Sequence, residues 1–187
     1  HAYNEEYQLL PNDLALLEID EMKNELDSLS TDYLWTPRIT FAGLLDVPNH
    51  IGETLSQSPV MALGIDFLSH GSKQLDIWKL EDKIINGEML ENSSEILISK
   101  KLADRLEVYP GSNVTFIGST MHGGFTMYNY MIKGIFDLNM GPIDKNMMIV
   151  DLEGARMALD MNNAASEILG YSKNLFFDDK ETIKMRN

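Results

Sequence analysis

EILISKKLADRLEVYPGSNVTFIG, Glu95 to Gly118, changes pattern three times in one short run. Glu95 to Ser99 reads as a short apolar strand. Ser99 then stands where a helix N-cap belongs, ahead of KKLADRL, whose Leu102 and Leu106 fall on one face. Tyr109-Pro110-Gly111-Ser112 follows as a turn. Proline pre-sets φ at the second position, and glycine supplies the positive φ that a type II turn needs at the third. From Asn113 to Gly118 the chain alternates as a strand again. A phosphate cradle runs from strand through a glycine-rich loop into a helix N-terminus. Here the helix comes first and offers the turn its partly negative end. Pro110-Gly111 therefore reverses the chain.

Working outward, Ile19 to Leu29 has the spacing of a helix, with Met22, Leu26 and Leu29 on one face and acidic residues at its start. Tyr33 to Asp46 alternates, with Trp35, Pro37, Ile39, Phe41 and Leu45 on one side; Pro37 predicts an edge strand or a bulge. PVMALGID, from Pro59, is apolar on both faces and predicts a covered strand. A short helix is expected from Ser72 to Leu80, and IINGEML predicts a turn centred on Asn86-Gly87. FTMYNYMIKGIF, from Phe125, is a long strand with Tyr128, Tyr130, Ile132 and Phe136 on one face. MMIVD is a strand whose Asp151 caps the helix LEGARMALDM. SEILGYS closes as another strand. A strand is expected within the first thirteen residues and a helix from Asp178. Strands and short helices in this irregular order predict α+β with mixed and antiparallel sheets.

The 187 residues carry 29 acidic against 15 basic side chains, a formal net charge of −14. Nucleic-acid binding is disfavoured, because its main affinity comes from Lys and Arg on phosphates. There is no cysteine, which excludes disulfides, thiolate nucleophiles and cysteine-bound metal centres. His1, His50, His70 and His122 lie apart, with no HExxH spacing. No Walker A, G-x-G-x-x-G or G-x-S-x-G motif occurs. No catalytic residue, cofactor site or metal site is assigned. No apolar run approaches the ~18 residues of a membrane span. The chain opens on His1 and closes on KMRN, and is read as a piece of a longer protein.

Methionine is the unusual component: eight of the twelve fall between Met121 and Met161. On the long strand, Met127, Asn129 and Met131 share the face opposite the tyrosines. Copper capture by thioethers is disfavoured because no closely spaced methionine cluster occurs, and two readings stay open. Methionine fills gaps in cores, and it also makes adaptable apolar binding surfaces. The second reading makes Met127, Asn129 and Met131 a candidate partner-binding surface.

The order of segments carries a further signal. Pro37-Arg38, then Gly64-Ile65-Asp66, then Gly87, then Leu102 through Val114, then Gly134-Ile135-Phe136 with Gly141, Asp144 and Leu152 to Ala155, follow one another. The series resembles the extracytoplasmic domain of MacB/FtsX/LolC-type ABC transporter permeases, over about Thr36 to Met161. It departs at Ser112, where that family often has Asp, and in the Met- and Tyr-rich hairpin TMHGGFTMYNY. The resemblance implies a porter-like α/β subdomain from 1–83 and 161–187, with an inserted β-rich subdomain at 84–160. It implies a non-enzymatic domain on the periplasmic side of the inner membrane, in a parent that spans that membrane. There it would couple cytoplasmic ATP hydrolysis to work on an external cargo: lipoprotein release, peptide or drug efflux, or hydrolase activation. The implied partners are a second permease copy, a cytoplasmic ATPase reached through the parent's membrane part, and a lipoprotein or periplasmic adaptor. A free-standing ligand-binding or enzymatic β-rich domain is the alternative from another class. A purely structural assembly module is a third.

Overall fold

The computed structural model describes residues 15–141 and 143–172, so the strand expected near the start and the helix expected from Asp178 lie outside the described residues. The elements run β1 (Leu16–Leu17), α1 (Ile19–Leu29), β2 (Tyr33–Pro48), β3 (Thr54–Ile65), α2 (Gln74–Trp78), β4 (Ile84–Gly87), β5 (Glu95–Ser99), α3 (Lys100–Leu106), β6 (Asn113–Ser119), β7 (Phe125–Phe136), β8 (Met147–Asp151), α4 (Leu152–Leu159), β9 (Ala164–Ala165) and β10 (Glu167–Ser172). Short 3-10 turns stand at Leu80–Lys83 and Ile143–Asn146. The class is α+β with mixed and antiparallel pairing, as expected from the order of segments.

Six strands close on themselves. β2 pairs with β3, β3 with β8, β8 with β5, β5 with β7, β7 with β6, and β6 with β2. The β3–β8 and β5–β7 pairs are parallel and the other four antiparallel. β10 and β4 extend the ring along β2 and β7. Segment 1–83 supplies β2 and β3, segment 84–160 supplies β4 to β8, and β10 returns to lie beside β2. Closure follows from side-chain alternation, which gives each strand one apolar side that must find a partner. Inside the ring Phe41, Val60, Ile98, Phe116, Tyr130 and Val150 form the main core, all nearly free of solvent.

α4 packs against β2, β3, β7 and β8, and α3 against β3, β5 and β7. Each helix thus reaches strands that are not neighbours in the ring, which places the two across its openings. Tyr130 donates its hydroxyl to the Gly154 carbonyl at 2.8 Å, and Thr126 to the Ala158 carbonyl at 2.9 Å. Ser99 caps α3 and Asp151 caps α4 through their side-chain oxygens, as the sequence predicts. A second, smaller cluster lies outside the ring over β8, β5 and the end of β7. There Leu97, Phe136 and Ile149 meet Phe67 and Leu80, on either side of α2, and Leu90, which follows β4.

Four expectations change. β2 is an interior strand, with β10 and β6 along one side and β3 along the other. Pro37 sits at no bulge, because Arg38 turns its carbonyl toward Ser166 on the β10 side. The alternating backbone then points the proline nitrogen the other way, beyond Ile65, where β3 has ended. The one irregularity of the β2–β3 ladder falls at Val47/Pro48. PVMALGID is covered only in part: Val60 and Ala62 point into the core, while Met61 is 54% exposed on the outer wall. Asn86-Gly87 ends a strand instead of making a turn. Gly87, at φ +82°, pairs with Gly134, and a side chain there would strike the Lys133 carbonyl. In α1, Ile19 supplies the buried contact, and Leu29 is 80% exposed.

The turn at Tyr109 takes the expected form. The Ser112 N–H donates to the Tyr109 carbonyl at 3.0 Å, and Gly111 holds φ +91°. The Ser112 hydroxyl accepts the Tyr109 N–H at 3.1 Å, so Ser112 closes the turn a second time.

Candidate partner-binding face

The outer wall of the ring divides into a covered half and a bare half. Cluster residues from the α2 region cover β8, β5 and the end of β7. Across β3, β2, β6 and β7 the even-numbered side of β7 turns inward to α4, so Met127, Asn129 and Met131 face outward. Cross-strand register then builds a row. Pro59 stands opposite Leu44, Leu44 opposite Ile117, and Ile117 opposite Met127. Met127 is 60% exposed and Leu44 38% exposed. Met61 beside Ala42, and Phe125 beside Ser119, lie one step further along the same wall. The result is an apolar band across four strands.

The next row is polar. Gln57, Asp46, Thr115 and Asn129 stand in register. Thr115 donates its hydroxyl to Asn129 Oδ1 at 2.8 Å, and Asp46 and Thr115 are buried beneath their neighbours. Asn129 therefore borders the apolar band and has its own acceptor occupied.

Met131 belongs elsewhere. It lies four residues along β7 from Met127, about 13 Å away at the rise of a strand. It is half-buried between Asn113 and Glu95. Lys133, beside it, collects Glu91 at 2.8 Å, Glu88 at 3.5 Å and Glu95 at 3.7 Å, and the hydrogen bond to Glu91 raises its pKa. Of the three residues read from the sequence, the structure joins Met127 and Asn129 to one wall and sets Met131 in a polar neighbourhood. Pro59, Leu44 and Ile117 are the members that sequence reading missed. Each looks like an ordinary alternating strand residue, and only the pairing of distant strands aligns them.

A separate cleft of about 510 Å³ opens beside α4, lined among others by Lys23, Asp66, Asp151, Glu153 and Arg156. Asp151 is its most buried acid, and burial raises its pKa. Both its oxygens are occupied. One accepts the N–H groups of Phe67 and Leu68 at 3.0 and 3.1 Å, the other that of Glu153 at 3.0 Å. Asp151 thus ties the segment after β3 to the start of α4. Among the described residues no three His, Asp or Glu side chains gather as a metal site, and no helix is long and apolar enough to cross a membrane.

No protein-family model matches the chain, and no curated protein matches it. Solved structures do. One is the extracellular domain of the noncanonic ABC-type transporter YknZ from Gram-positive bacteria. It superposes with a TM-score of 0.60 at 14% identity, over 91% of this chain and 78% of that one. Another is the periplasmic region of MacB from Actinobacillus actinomycetemcomitans, with a TM-score of 0.56 at 13% identity, over 91% of this chain and 71% of that one. The chain has the fold of these extracytoplasmic transporter domains.

Proposed function

We propose that this chain, with the fold of ABC-transporter extracytoplasmic domains, is the external domain of such a permease. It works outside the membrane, without catalysis of its own, and couples cytoplasmic ATP hydrolysis to work on an external cargo or partner. The fold shared with the YknZ and MacB domains over 91% of the chain carries this reading. The closed ring gives it a physical basis. A barrel whose strands each have two neighbours leaves few free edges and resists shear, so it moves as a body and passes displacement on. The occupied oxygens of Asp151 agree with a structural use of the most buried acid in the cleft.

In this reading Met127 and Asn129, with Leu44 and Ile117, form the wall that an extracytoplasmic partner protein covers. A second permease copy and a cytoplasmic ATPase complete the assembly through the parent's membrane part. The division at 1–83, 84–160 and 161–187 then marks a porter-like part and an insertion that contribute strands to one ring.

Sequencing the parent gene tests the proposal. A helix of ~20 apolar residues ahead of His1 and about three after the fragment, with an ATPase fused or encoded nearby, are expected. A parent without any such helix overturns it and favours a free-standing binding domain.

A further inference from the structure

Asn86-Gly87 is the one Asn-Gly pair among the 187 residues. In the fold it closes β4, a short strand with β7 on one side and, among the described residues, no strand on the other. Asn86 and Gly87 are both exposed. The Glu88 N–H donates to the Lys133 carbonyl at 3.1 Å, and Gly87 stands opposite Gly134. In an antiparallel ladder the residue before such a donor belongs to a non-hydrogen-bonded pair, so the Gly87 N–H takes no part in the bonds to β7. As an edge strand, β4 has no second neighbour to engage it.

Asparagine is thermolabile because the next backbone nitrogen can attack its side-chain amide. Here the Gly87 nitrogen would bond to Asn86 Cγ and pass its proton to the amide nitrogen, which leaves as ammonia. Water then opens the cyclic imide at either carbonyl. One opening leaves aspartate, the other isoaspartate, whose main chain runs through the former side chain. Glycine suits the attack because it has no Cβ to hinder its nitrogen. Every other asparagine with a successor is followed by a residue that carries a side chain. Some are held as well. Asn49 donates its amide to Glu53 at 3.0 Å, Asn163 to Glu21 at 3.2 Å, and Asn129 accepts from Thr115 at 2.8 Å. The Asn86 side chain makes no hydrogen bond among the described residues.

The surroundings of Gly87 fix the consequence. A side-chain carbon there would stand 2.2 Å from the Lys133 carbonyl and 2.9 Å from the Pro110 ring, so the backbone has no slack. Isoaspartate adds one carbon to the main chain between the positions opposite Ile135 and Gly134, and the two strands can no longer keep register. It also adds a negative charge beside Glu88. β4 lies outside the six-strand ring, so the ring survives its release. What loosens is the cover of β8, β5 and the end of β7, to which Ile84, Met89 and Leu90 belong.

We propose that Asn86-Gly87 is a modification site, where imide formation in the folded protein, followed by addition of water, yields isoaspartate and frees β4 from β7. The proposal does not rest on the transporter reading.

The 187-residue chain is aged at mildly alkaline pH, folded and in urea, with Asn86→Gln alongside. Peptide mass spectrometry maps the conversion. Isoaspartate is counted by methyl transfer from S-adenosylmethionine with a protein isoaspartate methyltransferase. In the folded chain Asn86 should convert severalfold faster than any other asparagine, and faster as pH rises, because the attacking nitrogen must give up its proton. Asn86→Gln changes an exposed side chain and should take no label in that peptide, since its larger ring closes more slowly. In the converted wild type, amide exchange at Glu88 should speed up severalfold while the β2–β3 ladder stays unchanged. The proposal is overturned by conversion confined to the urea-unfolded chain, by faster conversion at another asparagine of the folded chain, or by unchanged exchange at Glu88 in the converted protein.

Discussion

Asp151 shows how one side chain serves two distances. Its N-cap role is local and follows from its place before LEGARMAL, because the first N–H groups of a helix have no partner within it. Its bonds to Phe67 and Leu68 reach 84 and 83 residues back. Asp151→Ala removes the cap and leaves buried N–H groups unpaired. A loss of about 3 kcal/mol is expected, from roughly 1 for the cap and 1–3 for an orphaned donor. Urea denaturation measures it; a loss below 1 kcal/mol would show that the segment relaxes to find other acceptors. The pH dependence has a definite sign. Burial raises the Asp151 pKa above the ordinary carboxylate value, against the opposing backbone hydrogen bonds. The folded state therefore holds this proton more tightly than the unfolded state. The associated stability is present below the ordinary value and is lost as pH rises through the raised one. Relative to the non-titrating Asp151→Asn, the wild type should gain stability as pH is lowered from 7 toward the ordinary carboxylate range. A parallel course of the two midpoints with pH would contradict this.

At the scale of elements, the decisive contact is the seam where β6 meets β2. Only Leu44 to Asp46 and Thr115 to Ile117 pair there, yet that short ladder closes the ring. Gly43 makes the approach possible. A side-chain carbon at that position would stand 2.5 Å from both the Ile117 carbonyl and the Phe116 ring. Gly43→Val should therefore cost about 1–3 kcal/mol, the range of overpacked cores. Amide exchange at Thr115 to Ile117 should speed up far more than in the long β2–β3 ladder. Uniform acceleration through all strands would mean that the seam is not a separate weak point. The sequence shows β2 and β6 as strands because alternation is a property of one segment. It does not show them as neighbours, because the partner of a strand edge depends on the course of the whole chain. The same reason explains Pro37. Proline in a strand forbids one hydrogen bond, but whether an edge or the end of a neighbour absorbs the loss is decided by where β3 stops.

On the scale of the whole molecule, the covered and bare halves of the ring separate stability from surface. Met127→Gln and Leu44→Gln change side chains that are 60% and 38% exposed. Each should shift stability by no more than about 0.5 kcal/mol, as is usual for surface sites. In the parent assembly the pair should weaken capture of the extracytoplasmic partner. A large loss of thermal stability would instead place the row in the core. Met127 and Met131 share a side of β7 yet have different neighbours, an apolar row beside Met127 and Asn113 and Glu95 beside Met131, because strand alternation fixes a side but not what lies beside it.

The sequence by itself determined most of the element types, though not the strand at Ile84–Gly87, together with the two helix caps, the Pro110-Gly111 reversal and the α+β class. All of these rest on interactions within a few residues. Its order of segments also carried the resemblance that the shared fold bears out. Tertiary structure alone decided that six strands close into a ring and that Leu44, Ile117 and Met127 stand in one row. Those facts depend on pairings between residues tens of positions apart, which neither local periodicity nor composition encodes.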